Sequence, residues 1–144
     1  MVYIEYSRST RLGNWMFQYA VAKTLSKWAD VSFYVKPEYD NSHVENLLRF
    51  SNVLKGLSVV RAIPHDCQLI LDRTDLRQWE RMIPTRNYLL RGVFQLPALF
   101  DAEMVKDLYA LPEEIGLKLE NEYGVRLSNE ESVCIHVRRY FILK

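Results

Sequence analysis

The segment Arg11-Leu12-Gly13-Asn14-Trp15-Met16-Phe17-Gln18-Tyr19-Ala20 follows a run of β-branched and aromatic residues, Val2 to Tyr6. This succession predicts a strand, a tight turn and then a helix. Gly13 permits a close backbone path, and Asn14 is a residue type that caps helices. The helix start carries free N–H groups, and Arg11 adds a positive charge beside it, so a phosphate is the expected ligand. The alternative is a strand–turn–helix joint that binds nothing, because neither GxGxxG nor GxxxxGK[ST] is present.

The helix is predicted to run to about Asp30 and to bury one face. The apolar residues that recur at helical spacing on that face are Phe17, Val21, Leu25 and Trp28. For Trp15 we expect packing in or beside the core rather than stacking on a ligand.

A second informative segment, Val133-Cys134-Ile135-His136-Val137-Arg138-Arg139, is an apolar run that ends in two arginines. Its composition is typical of a strand covered on both faces in a parallel sheet. Ligands of such sheets bind beyond the carboxyl ends of the strands, and guanidinium groups match phosphate oxygens, so a diphosphate is the expected ligand there. The alternative is a basic, solvated end of the chain.

Together the two segments resemble the alpha-1,2-fucosyltransferases of glycosyltransferase family 11. The family signature GRLGNQMFQYA corresponds to the residues from Thr10 to Ala20, and its HxRRxD signature to the segment that begins with His136. Between them, Gly92-Val93-Phe94-Gln95 followed by Phe100 is similar to the family's GYxQ…YF segment. The likeness extends from Met1 to Arg139 in the family's order.

The resemblance implies a Rossmann-like N-terminal half of a GT-B glycosyltransferase, with an α/β fold over residues 1–127. Residues 128–144 would be the first strand of a nucleotide-sugar-binding domain that is truncated after that strand. Three positions depart from the family pattern: Thr10 replaces Gly, Trp15 replaces Gln, and the acidic position of HxRRxD is Phe141.

The resemblance also implies an inverting transfer of fucose from GDP-fucose to the 2-hydroxyl of a galactoside, without a metal ion. Arg138 is then the catalytic residue that binds the β-phosphate. His136 and Arg139 would support the guanosine diphosphate. From the first domain, the donor-binding residues would be Arg11, Gly13 and Asn14.

Composition excludes some other classes of protein. The 144 residues carry a formal net charge of +1, which argues against a nucleic-acid binder with a broad basic surface. The two cysteines do not form a disulfide framework, and no apolar run approaches the ~18 residues of a membrane span. The chain opens with a strand and shows no signal peptide, so a cytoplasmic protein is expected, with peripheral membrane association as an alternative.

The rest of the chain alternates predicted strands with helices, which indicates α/β layers. Asp101 is expected to cap one helix, Pro112 to begin the next, and Gly124 to end it. The remaining predicted elements are strands at 31–35, 57–60, 67–71 and 87–94, a helix at 42–50 and an irregular segment at 72–86. Val133 to Val137 would add to this sheet or form an exposed edge.

The sequence does not identify the base that deprotonates the acceptor hydroxyl. Asp66, Asp72 and Asp75 are candidates, although such carboxylates are more often surface groups. His65-Asp66-Cys67 lacks a matching ligand pair, so we expect no metal site. Three hypotheses follow: an active fucosyltransferase, a non-catalytic α/β domain that binds a sugar or a partner, and a gene fragment without function.

Overall fold

The fold is described from a computed structural model, which covers residues 1–26, 30–72, 85–95, 99, 101–110 and 112–127. The chain divides into two compact units, Met1–Tyr109 and Ala110–Lys144. The predicted boundary at residue 127 stays a prediction, as does the strand at 133–137, which lies outside the described residues.

The first unit contains a parallel sheet of five described strands in the order β3-β2-β1-β5-β4. The strands are β1 (Val2–Glu5), β2 (Val31–Tyr34), β3 (Val59–Val60), β4 (Gln68–Leu71) and β5 (Tyr88–Arg91). The helices of this unit are α1 (Leu12–Leu25), α2 (Asn41–Leu48) and α3 (Ala102–Leu108). This parallel sheet flanked by helices confirms the predicted α/β class and is compatible with a Rossmann-like fold, whereas the GT-B assignment stays a prediction.

Strand alternation builds the core of this unit. Val2 and Ile4 of β1 point to one face of the sheet, where α1 packs against β1 and β2. Tyr19 of α1 stacks on Phe33 of β2 with ring centroids 6.1 Å apart. The other fully buried large side chains of this unit include Tyr88, Phe94, Leu47, Leu54 and Leu90.

The predicted apolar face of α1 is partly wrong. Phe17 is 40% exposed, whereas the adjacent residues Gln18 and Tyr19 are buried. Trp15 is buried as expected, because its indole Nε1 donates a 2.7 Å hydrogen bond to Oγ1 of Thr10 and its ring packs beside Tyr6. Trp28 lies outside the described residues.

The predicted start of α1 is also wrong. Arg11 takes the N-cap position with extended backbone, and the amide of Trp15 donates to its carbonyl at 3.0 Å. Thr10 bonds the carbonyl of Ser7 through both its amide and its hydroxyl, at 3.2 and 2.7 Å. This turn directs the chain into the helix early, so Asn14 becomes its third residue instead of its cap.

The second unit contains α4 (Glu113–Leu127). Pro112 immediately precedes this helix, and its carbonyl accepts from the amides of Ile115 and Gly116 at 2.9 Å. The predicted end at Gly124 is wrong, because the helix continues to Leu127. In the first unit, Asp101 caps α3 as predicted: its Oδ1 accepts from the amide of Met104 at 3.1 Å.

Candidate functional site

The order of the strands places a crevice at one edge of the sheet. From β1 the chain passes to β2 on one side, while β5 lies on the other side of β1. In open parallel sheets, ligands bind beyond the carboxyl ends of the strands at such a reversal. Glu5 and Arg91 are the last residues of β1 and β5, so they mark this position.

A polar crevice of about 300 Å³ is present at this point. We call it the switch-point crevice. Its lining comes from the ends of β1 and β5, the turn after β1, and α1: Glu5, Ser7, Ser9, Thr10, Gln18, Arg91, Gly92 and Val93.

The turn between β1 and α1 presents hydroxyl groups to the switch-point crevice. The Oγ atoms of Ser7 and Ser9 lie 2.8 Å apart, and the amide of Ser9 lies 3.4 Å from Oγ of Ser7. Thr10 is buried and holds this turn against Trp15. Hydroxyl groups both donate and accept hydrogen bonds, so Ser7 and Ser9 can pair with a ligand's donors or with its acceptors.

Two cations bind the carboxylate of Glu5. Nε and Nη2 of Arg91 both lie 2.8 Å from its Oε2, and Nζ of Lys36 lies 3.2 Å from its Oε1. The hydrogen bond to Glu5 and the negative charge of that carboxylate raise the pKa of Lys36 above its usual range. Glu5 with its two cations therefore carries a formal charge of +1 where β1 and β5 end.

Gln18 is the most deeply buried polar residue of the crevice wall, at 1% exposure. Its Nε2 donates to the carbonyl of Gly92, which fixes α1 against the end of β5. Its Oε1 is buried and accepts no hydrogen bond within the part of the chain that the structure describes. Buried polar atoms are almost always paired, and within the described residues this oxygen is an exception together with Oγ of Ser26.

The segment after β5 has an unusual backbone. Gly92 has φ +140°, and Phe94 is buried with φ 59°, a conformation that is an outlier for an aromatic residue. The amide of Val93 donates to Oδ2 of Asp72 at 3.3 Å. Strained backbone of this kind clusters at functional sites.

Two of the predicted donor-binding residues lie at the start of α1 without facing the switch-point crevice. Gly13 lines an apolar cavity of about 250 Å³ with Met16, Phe17, Ala20, Val105 and Tyr109. Oδ1 of Asn14 accepts from Nε2 of Gln95 at 3.1 Å. The third, Arg11, is exposed, and its side chain does not cap the helix.

The residues predicted from the second motif, His136, Arg138 and Arg139, lie outside the described residues. Asp75 does as well. Among the other candidate bases, Asp66 is exposed and precedes β4, whereas Asp72 follows β4 and contacts the end of β5. Asp72 is thus the candidate that the fold brings to the carboxyl edge of the sheet.

The described ranges contain neither a metal site nor a membrane-spanning helix. None of their His, Cys, Asp and Glu side chains form a group able to hold a metal ion. None of their helices has the length and apolarity needed to cross a bilayer.

Neither a protein family model, nor a curated protein, nor a solved structure matches the chain.

Sequence reasoning missed Glu5, Gln18 and Arg91 as members of the site. Arg91 and Glu5 become neighbours only through the pairing of β1 with β5, across 86 positions of the chain. Gln18 gave no clear signal, because a polar residue beside Phe17 also fits the solvent-facing side of an amphipathic helix.

Proposed function

We propose that this chain is part of an inverting alpha-1,2-fucosyltransferase of glycosyltransferase family 11. It would use GDP-fucose as donor and the 2-hydroxyl of a galactoside as acceptor. In this proposal the parallel sheet is the Rossmann-like N-terminal half of a GT-B enzyme that works in the cytoplasm. The support is the order of three motifs along the sequence, from Thr10 through Gly92 to Arg139.

The observation that carries the proposal is the contact between two of those motifs. Gln18 donates to the carbonyl of Gly92, and Gln95 donates to Asn14 at 3.1 Å. These bonds join positions 74 and 81 residues apart. Both motifs lie where β1 and β5 end, and ligands of open parallel sheets bind beyond the carboxyl ends of the strands.

The chemistry would depend on stabilising the diphosphate that leaves as the fucosyl bond breaks. Arg138 would bind the β-phosphate, with Arg139 and His136 on the guanosine diphosphate. Preorganised positive charge acts where negative charge develops, so this step needs no metal ion. Arg11 is an exposed cation at the N-terminus of α1, where the helix dipole also favours an anion.

The test is fucose transfer by the purified 144-residue chain, with radiolabelled GDP-fucose and lactose as substrates. Product with an α-1,2 linkage is the expected result. Arg138→Ala should lower kcat by roughly 100-fold or more, which is the usual effect of losing one preorganised donor. Arg49→Ala is the matched control, because Arg49 is an exposed arginine at the end of α2 and should leave the rate unchanged.

A chain that transfers no fucose, or an Arg138→Ala variant as active as the control, would refute the proposal. The second candidate is a non-catalytic α/β domain that binds a sugar or a partner. One observation favours it: Phe141 occupies the acidic position of the HxRRxD signature. Galactoside binding without any transfer would select this candidate.

A further inference from the structure

We propose that the apolar cavity between α1 and α3 is a binding site for a small, uncharged aromatic molecule. The cavity lies in the first unit and shares no lining residue with the switch-point crevice. The proposal is therefore independent of the proposed function and stands or falls by its own test.

The cavity exists because one face of α1 carries little side-chain volume. Four of its lining residues follow the spacing i, i+3, i+4 and i+7, which places them on one stripe of the helix: Gly13, Met16, Phe17 and Ala20. A Cβ at Gly13 would meet no atom within 4 Å, so the space beside this residue is open. The rest of the lining comes from α3, through Val105 and the C-cap residue Tyr109.

The lining of the cavity is uncharged. Its only side-chain nitrogen or oxygen atom is the phenol oxygen of Tyr109, which donates to the carbonyl of Met16 at 2.5 Å. Burial raises the pKa of Tyr109 above its ordinary 10.0, so the phenol stays neutral at physiological pH. Removing an unpaired charge from water costs free energy, so the ligand that suits this lining is uncharged.

The size of the cavity suits a single ring. Its volume is about 250 Å³, whereas an apolar cavity of about 150 Å³ in another protein stays dry and binds benzene. An ordered water needs roughly two to four polar partners, and the phenol of Tyr109 is already bonded to Met16. An apolar molecule is therefore a better occupant than water.

The kinds of side chain that line the cavity favour an aromatic ligand. Phe17 and Tyr109 present rings, which form offset-stacked or edge-to-face contacts with another ring. The thioether of Met16 also contacts aromatic rings favourably. Gly13 and Phe17 are exposed, so the cavity is open to solvent at these residues. A bound ring would remove part of the Phe17 side chain from water, which is favourable.

The experiment is an NMR titration of the full chain labelled with ¹³C at its methionine methyl groups, with the Met16 signal assigned from a Met16→Leu variant. The probes are toluene and benzoate, which share one ring but differ in charge. We expect toluene to shift the Met16 signal in a saturable way, with a Kd on the order of 1 mM, the range open to so small a ligand. Benzoate should leave the signal unchanged, because its carboxylate would lose its hydration.

Two leucine variants locate the binding. Gly13→Leu fills the cavity and should weaken toluene binding roughly tenfold or more. Gly116→Leu is the matched control, because Gly116 lies in α4 outside this lining and a Cβ there also meets no atom within 4 Å. This variant should bind toluene as the unchanged chain does.

No response to toluene, an equal response to benzoate, or equal weakening in both leucine variants would overturn the inference. A Met16 shift that grows with protein concentration in the absence of toluene would assign the cavity to a second copy of the chain and would also overturn it. The comparison of the two probes needs no variant, so it decides the question even where Gly13→Leu fails to fold.

Discussion

Replacing Gly92 with alanine should destabilise the protein by about 2–4 kcal/mol. A backbone with φ +140° costs a residue with a side chain roughly 1–3 kcal/mol. The new Cβ would also lie 2.5 Å from Cγ of Asp72. The Asp72 side chain would have to move and give up its bond to the amide of Val93, which is worth about 0.5–1.5 kcal/mol.

The assay is urea unfolding followed by circular dichroism, with a thermal melt as a second measurement. For a chain of this size, about 1 kcal/mol corresponds to roughly 3–5 °C in Tm, so Tm should fall by roughly 6–20 °C. The matched control is Gly13→Ala, because a Cβ at Gly13 meets no atom within 4 Å. Gly13 lies in α1, where alanine is the better helix former, so this variant should gain about 0.5 kcal/mol.

The effect of the clash between the new Cβ and Asp72 is measured separately by repeating Gly92→Ala in an Asp72→Gly background. Removing the Asp72 side chain should recover the part of the loss that comes from the clash, leaving the backbone cost. The reasoning fails if Gly92→Ala changes stability by less than about 0.5 kcal/mol, the usual range for substitutions without such a mechanism. It also fails if both glycine variants change stability in the same direction.

Three further outcomes are expected. Burial raises the pKa of Tyr19 to about 12, above its ordinary 10.0. The contribution of the neutral Tyr19 phenol to the free energy of unfolding is therefore fully present below pH 10 and falls by about 1.4 kcal/mol per pH unit between pH 10 and 12. Tyr19→Phe should flatten that decline in urea titrations repeated at several pH values. Thr10→Val leaves the indole N–H of Trp15 buried without its acceptor and should cost about 1–3 kcal/mol, while Thr10→Ser should restore most of it in the same titrations; equal losses would contradict this. Leu47→Ala removes a fully buried side chain and should cost about 2–5 kcal/mol, and a loss below 1 kcal/mol in urea unfolding would show that the site is not packed.

Much of the fold could be predicted because many of its elements depend on residues that are neighbours in the sequence. The β-branched run that forms β1 and the Asp101 cap of α3 both follow from neighbouring residues. The predicted start of α1 was wrong because the hydrogen bond from Trp15 to Thr10 and the turn at Ser7 outweigh the capping preference of Asn14. Such bonds depend on packing, which residue preferences do not report.

Less of the candidate site than of the fold could be predicted from the sequence. The expected phosphate position rested on the helix start near Gly13 and on the charge of Arg11, whereas the described switch-point crevice is lined by Glu5, Gln18 and Arg91. These residues meet through the parallel pairing of β1 with β5, which no local pattern specifies. The arginines of the second motif stay predicted.

The backbone of Phe94 has a consequence for the thermodynamics of association. Its φ of 59° is maintained in a buried position, and the adjacent Gln95 is bonded to Asn14. The free energy needed to fix this segment, which directly follows the lining residues Gly92 and Val93, is thus spent during folding, before any ligand binds. A ligand that enters the switch-point crevice would lose its own translational freedom but would not have to order this segment, so a larger share of the contact free energy would appear as affinity.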